Sequence, residues 1–133
     1  MLAILARLWA APYSVLGLLL APFFRARTVR YGVLWCEGAA WPGKLGWRYR
    51  AITFGHVVLA VDRLDTHTVA HELIHVRQYE RWGPFMVPAY LLAALWNLVK
   101  GRPPYLENAF EVAARTEAPA LALTLARHEA PTV

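Results

Sequence analysis

Runs of apolar residues and their spacing divide the chain into distinct stretches. Residues 1–24, MLAILARLWAAPYSVLGLLLAPFF, are apolar almost throughout and carry one charge, Arg7. The 17 uncharged residues from Leu8 to Phe24 fall short of the ~20 needed for a full bilayer crossing. Pro12, Gly17 and Pro22 interrupt them. A positive charge followed by an apolar run resembles a secretory signal, but Leu19 spoils the small-x-small site that would end at Ala21. An uncleaved anchor, an interfacial hairpin and a packed helix of the domain all fit the pattern. The expected division is an apolar N-terminal segment over 1–27, membrane-associated or packed as a helix, followed by one domain over 28–133.

The period then changes to two. In TVRYGVLWC, Val29, Tyr31, Val33 and Trp35 share one side, the mark of a half-buried strand. Pro42-Gly43 supplies turn chemistry. WRYRAITF resumes the alternation, and HVVLAVD after Gly55 is a valine-rich run suited to a buried strand. Three antiparallel strands are expected.

Helical spacing follows. Asp65 or Thr66 can cap a helix whose apolar residues Val69, Leu73 and Val76 recur at intervals of four and three, and Gly83-Pro84 stops it. Residues 84–99, PFMVPAYLLAALWNLV, are uncharged and suit a buried or membrane-dipping helix, with Pro88 in its first turns. A last helix is expected over roughly 104–127, kinked or ended early by Pro119. The predicted fold is α+β: a small antiparallel sheet packed against an active-site helix and two further helices, with an apolar N-terminal helix.

Composition sharpens this picture. The 133 residues suit one domain. Hydrophobic residues make up 58%, charged ones only 17%, and mean hydropathy is +0.33, which points to contact with a membrane or an apolar partner. The single cysteine, Cys36, excludes an internal disulfide framework and a multi-cysteine zinc site. Net charge is +5, with arginines grouped at Arg25, Arg27 and Arg30 and again at Arg48 and Arg50. Such groups can follow nucleic acid or anionic lipid. They adjoin the apolar segment, so a membrane surface is the expected partner, with a soluble cytoplasmic form also compatible. A nucleic-acid role would leave the chain's densest chemistry unused.

That chemistry lies in TVAHELIHVRQYERWG, residues 68–83. Residues four apart on a helix lie on nearly one side, so His71 and His75 can present their imidazoles to a common point. Glu72, one residue after the first histidine, flanks that point and can take a proton from water there. This is the H-E-x-x-H arrangement of zinc hydrolases. The version with a third histidine fails, because Gln78 and Arg81 stand where glycine and histidine would be. His128 lies near the chain end. The other source of a third ligand is a carboxylate on a later helix, and ENAFEVAAR offers Glu107 and Glu111.

HELIH followed by FEVAA resembles gluzincin-type zinc peptidases over residues 65–118, in their minimal single-domain form and distantly the membrane-bound group that includes the CAAX prenyl proteases. There a Phe-Glu-x-x-Ala-Asp element supplies the third ligand through its glutamate. Matching Phe110, Glu111 and Ala114 to it implies one zinc ion (Zn2+) held by His71, His75 and Glu111, with Glu72 as general base. Arg115 departs from the pattern, standing where the family has an aspartate that orients the site. Glu107 is a possible substitute for it, or a solvated acid near a helix start. Gln78 can hydrogen-bond a ligand imidazole, and His67 suits an exposed helix start. Tyr90, Tyr105 and His56 are all candidate oxyanion donors. A strand over His56–Asp62 can pair with an extended substrate. The function expected is zinc-dependent hydrolysis of a peptide or protein substrate. The alternative is a non-catalytic, membrane-associated zinc module acting in interaction or sensing.

Overall fold

A computed structural model describes residues 2–39 and 50–129. Helix α1 (Leu2–Leu20) runs through a short 3-10 turn into β1 (Phe24–Arg30) and β2 (Val33–Ala39). Then come β3 (Ala51–Phe54), β4 (Val57–Ala60), α2 (Thr66–Trp82), α3 (Met86–Val99) and α4 (Ala109–Glu129). The α+β architecture read from the sequence is the one observed.

The sheet has four strands in the order β1-β2-β4-β3. It is mixed: β1–β2 and β3–β4 pair antiparallel, whereas β2 and β4 run parallel, with Trp35 opposite Val58. The expected strand across TVRYGVLWC is in fact a hairpin. Tyr31 (φ 55°) and Gly32 (φ 72°) both take left-handed backbone, the two-residue turn whose twist matches its flanking strands. Arg30 pairs with Val33 and Val29 with Leu34, so the turn switches faces: Val33 and Trp35 are buried, whereas Val29, expected on the same side, is exposed. The Pro42-Gly43 turn and the first residues of WRYRAITF lie outside the described residues.

One sheet face presents Val33, Trp35, Val58 and Ala60 to Val69, Leu73 and Val76 of α2 and to Ala118 and Leu125 of α4, forming the main core. The opposite face carries Phe24, Cys36, Val57 and Leu59. There α1 crosses the sheet. A Cβ on Gly17 would come within 2.6 Å of the Val57 Cβ, so this contact requires glycine. The sheet begins at Phe24, so the last four residues of the expected N-terminal segment belong to β1.

Helix α2 starts as expected, with Asp65 Oδ1 accepting from the Thr68 N–H at 2.7 Å, and ends at Gly83. Helix α4 starts at Ala109 rather than near 104 and runs through Pro119 to Glu129. Its late start follows from Asn108, which is fully buried. Asn108 Oδ1 caps the helix by accepting from the Phe110 N–H at 3.1 Å, and its amide donates to the Tyr90 carbonyl at 3.0 Å. Two stretches, Leu2–Phe23 and Thr66–Val99, are long and apolar enough to cross a membrane, a test that core helices and signal sequences also pass.

Candidate metal centre

The apolar stripe of α2 faces the core, which turns its histidine side toward β3 and α4. Burial of Ala114 and Ala118 on α4 places Glu111, one turn before Ala114, against the same side. The three sequence-inferred ligands therefore meet. His71 Nε2 and His75 Nε2 are 3.2 Å apart, His71 Nε2 and Glu111 Oε2 3.4 Å, and His75 Nε2 and Glu111 Oε1 3.5 Å. Donors held about 2.0–2.1 Å from a tetrahedral ion stand roughly 3.3 Å from one another. The two imidazole nitrogens stand at about that value, each ring lies beside a different oxygen of the Glu111 carboxylate, and with one donor atom per residue the three lie within 4.8 Å of one another. Glu111 and His75 are buried, and Glu111 Oε2 has no hydrogen-bond partner among the described residues. That oxygen has only the His71 ring at 3.4 Å beside it, and a buried anionic oxygen without a hydrogen bond is costly unless a cation reaches it. The group can hold a metal ion.

The surrounding hydrogen bonds prepare these atoms. Gln78 Nε2 donates to the Phe110 carbonyl at 2.9 Å, which turns its Oε1 toward His75 Nδ1 at 2.8 Å. His75 must therefore carry its proton on Nδ1, leaving the Nε2 lone pair aimed at the cluster. The Tyr90 hydroxyl donates to Glu111 Oε1 at 2.9 Å. Thr53 Oγ1, on β3, donates to Glu72 Oε2 at 2.7 Å.

Electrostatics separate the two carboxylates. Burial pushes Glu72 above the usual carboxylate range, against the pull of His75, the Thr53 hydroxyl and His71. Burial pushes Glu111 upward too, but His71, His75 and the Tyr90 hydroxyl outweigh it and hold that group well below the range. For His75, burial acts downward and is overcome by Glu111, Glu72 and Gln78, so its pKa is raised. The two buried carboxyls are thus driven in opposite directions, Glu111 toward the ionised form and Glu72 toward the neutral one.

A cavity of about 320 Å³ opens beside the cluster, lined by Ala51, Ile52, Thr53 and Phe54 of β3 and by His71, Glu72, His75 and Glu111. Tyr79, Met86, Val87, Tyr90 and Tyr105 complete the wall. Of the three candidate oxyanion donors, Tyr90 and Tyr105 line this cavity. His56 does not: it pairs with Glu80 at 2.9 Å and lines a separate cavity. The strand expected to border the cleft is not the one that does. Residues His56–Asp62 contain β4, which is interior between β2 and β3, whereas β3 is the edge strand bordering the cavity.

Glu107 does not join the cluster. It is half exposed, precedes α4 and faces Arg102 at 3.7 Å. Arg115 is exposed and donates to the Leu106 carbonyl. Orientation of the site falls instead to Gln78 and Tyr90. His67 and His128 are exposed and outside the cluster. Sequence reasoning missed Thr53 and Asn108. Asn108 carried a signal, since an asparagine just before a helix is a preferred cap. Thr53 carried none, because only the sheet order brings it to Glu72. No known protein family, curated protein or solved structure matches this chain.

Proposed function

We propose that the chain is a zinc-dependent peptidase acting on a peptide or protein substrate, with the metal held by His71, His75 and Glu111. The observation that carries this reading is the convergence of the His71 and His75 Nε2 atoms and the Glu111 carboxylate, one donor atom from each lying within 4.8 Å of the others, beside a buried Glu72. Two imidazoles and one carboxylate suit zinc, and three protein ligands leave one position open. Zinc bound there supplies Lewis-acid polarisation of a carbonyl and brings the pKa of a water toward neutrality.

The remaining steps fall to the chain's own side chains. Glu72 takes the water proton and returns it to the leaving amine, a role its raised pKa suits. The Thr53 hydroxyl fixes the carboxylate for that transfer. An extended peptide pairs with the outer edge of β3, which has no strand neighbour among the described residues. Tyr105 lines the cavity wall beside the reacting carbonyl, and Tyr90, whose hydroxyl donates to Glu111, holds that ligand in place. The same reading associates the chain with a membrane through its N-terminal segment, because most of the leucines of α1 are exposed.

The test is hydrolysis of a quenched fluorescent peptide library by the zinc-loaded chain and by Glu72→Gln. The expected result is cleavage by the first and a loss of about 10²–10⁴-fold in the second, with zinc content equal. If both carry zinc and neither cuts, the peptidase reading fails and a non-catalytic zinc module takes its place.

A further inference from the structure

Helices α1 and α3 are inverted relative to water-facing surface helices. Along α1 the inward side is Ala10, Tyr13, Ser14 and Gly17, small or polar, while Leu5, Leu8, Val15 and Leu19 point outward. Along α3 the inward positions are Met86, Tyr90 and Asn97. The outward ones are Leu91, Leu92, Leu95, Leu98 and Val99, with Leu92 67% and Val99 72% exposed. A soluble surface helix places its leucines inward and its polar residues outward. Scattered exposed leucines need no explanation, but continuous apolar faces do.

The two faces meet where α2 hands over to α3. Trp9 packs against Phe85 with ring centroids 6.1 Å apart, and the Tyr13 hydroxyl donates to the Pro84 carbonyl at 3.0 Å.

We infer that the outward faces of α1 and α3 together form one surface seated in the outer part of a lipid bilayer. Charge argues for lipid over a protein partner. Each leucine-rich face ends in exposed cations, Arg25 and Arg27 after α1, and Lys100 and Arg102 after α3. The Lys100 ammonium stands 4.8 Å over the Trp96 ring, a pairing suited to the headgroup layer. Arg7, the sole charge of α1, turns back to the body and lines a cavity with Tyr31 and Gly32. The leucine and valine side chains themselves offer no hydrogen-bonding groups by which a protein partner would be told apart.

Geometry favours seating over crossing. Gly17 and Ser14 tie α1 to Val57 and to the His56 N–H, so the helix cannot cross a bilayer without taking the sheet with it. The 14 residues of α3 span about 21 Å, against a hydrocarbon layer of about 30 Å. The inward side of α3 supplies Met86 and Tyr90 to the metal cavity. That places the cavity about one helix diameter, roughly 10 Å, from lipid, within reach of polypeptide segments lying at the membrane surface. This inference rests on the membrane part of the proposed function and is independent of peptidase activity.

The test is flotation of the full, zinc-loaded chain with vesicles of mixed phosphatidylcholine and phosphatidylglycerol, with zinc content read in the same fractions. The pairs Leu8→Asp/Leu19→Asp and Leu92→Asp/Leu95→Asp should each lower the partition coefficient at least tenfold while zinc stays bound. Leu92→Ile/Leu95→Ile should float like the parent chain. If the α1 pair alone lowers binding, membrane association stands and the two-helix surface is refuted. If the parent chain stays in solution as a dimer that the same aspartates dissociate, the faces cover one another and the lipid surface is equally refuted.

Discussion

Replacing Gln78 with Met tests whether the site is organised from α4 as well as from α2. Methionine has nearly the same length and apolar stem but neither amide group. The change removes the 2.8 Å bond to His75 Nδ1 and the 2.9 Å bond to the Phe110 carbonyl together. His75 then loses the partner that fixes its tautomer and ring plane. Removing such an outer hydrogen-bond partner of a metal-bound histidine costs roughly 10–100-fold in metal affinity, about 1.4–2.7 kcal/mol. The metal-free fold suffers as well, since a buried ring N–H and a carbonyl lose their partner at about 1–3 kcal/mol apiece. Competition with a chromophoric zinc chelator reads the first effect, and thermal unfolding in excess chelator reads the second. Gln78→Glu separates them. Its carboxylate still accepts from His75 Nδ1 but faces the Phe110 carbonyl with no donor, so zinc affinity should hold while stability falls. If Gln78→Met binds zinc within twofold of the parent chain and unfolds at the same temperature, Gln78 plays no organising part.

Three further outcomes follow from the same geometry. Thr53→Val removes the donor that stabilises ionised Glu72, so the acid limb of the pH–rate profile should move upward while zinc content is unchanged. Gly17→Leu forces a side chain into Val57 and should destabilise the fold by about 1–3 kcal/mol, read as an earlier unfolding midpoint in denaturant. The pH dependence of metal-free stability has two limits. The raised pKa of His75 contributes stability that is full below the ordinary imidazole value and lost as pH rises through the folded value. The depressed pKa of Glu111 contributes stability present above the ordinary carboxylate value and lost as pH falls toward the folded one. Metal-free chain should therefore unfold at its highest temperature in mild acid. Zinc, which competes with the proton on His75, should bind about tenfold more weakly for each pH unit below that pKa.

Much of this was legible in the chain because the signals were local. The cap at Asp65, the stop at Gly83 and the His71/His75 pair each depend on spacing within one helix. Glu111 required the resemblance, since nothing in its own neighbourhood separates it from Glu107. The structure separates them through Asn108, which starts α4 late enough to leave Glu107 in the preceding loop. Strand order was not legible. The parallel pairing of β2 with β4 moves the cavity edge from β4 to β3, and no short-range pattern encodes that crossover. The inverted faces of α1 and α3 were hidden because nearly every residue there is apolar. Inward and outward sides differ mainly in side-chain size, with a few polar positions such as Ser14 and Asn97.

The account stands on one ion gripped jointly by two turns of α2 and the start of α4. Its most direct measurement is the zinc content of the purified chain after dialysis, beside Glu111→Ala and His71→Ala. Binding of about one equivalent by the parent chain and loss of it in both variants is the predicted result. A parent chain that takes up no zinc, or a Glu111→Ala chain that holds it with undiminished affinity, would contradict it.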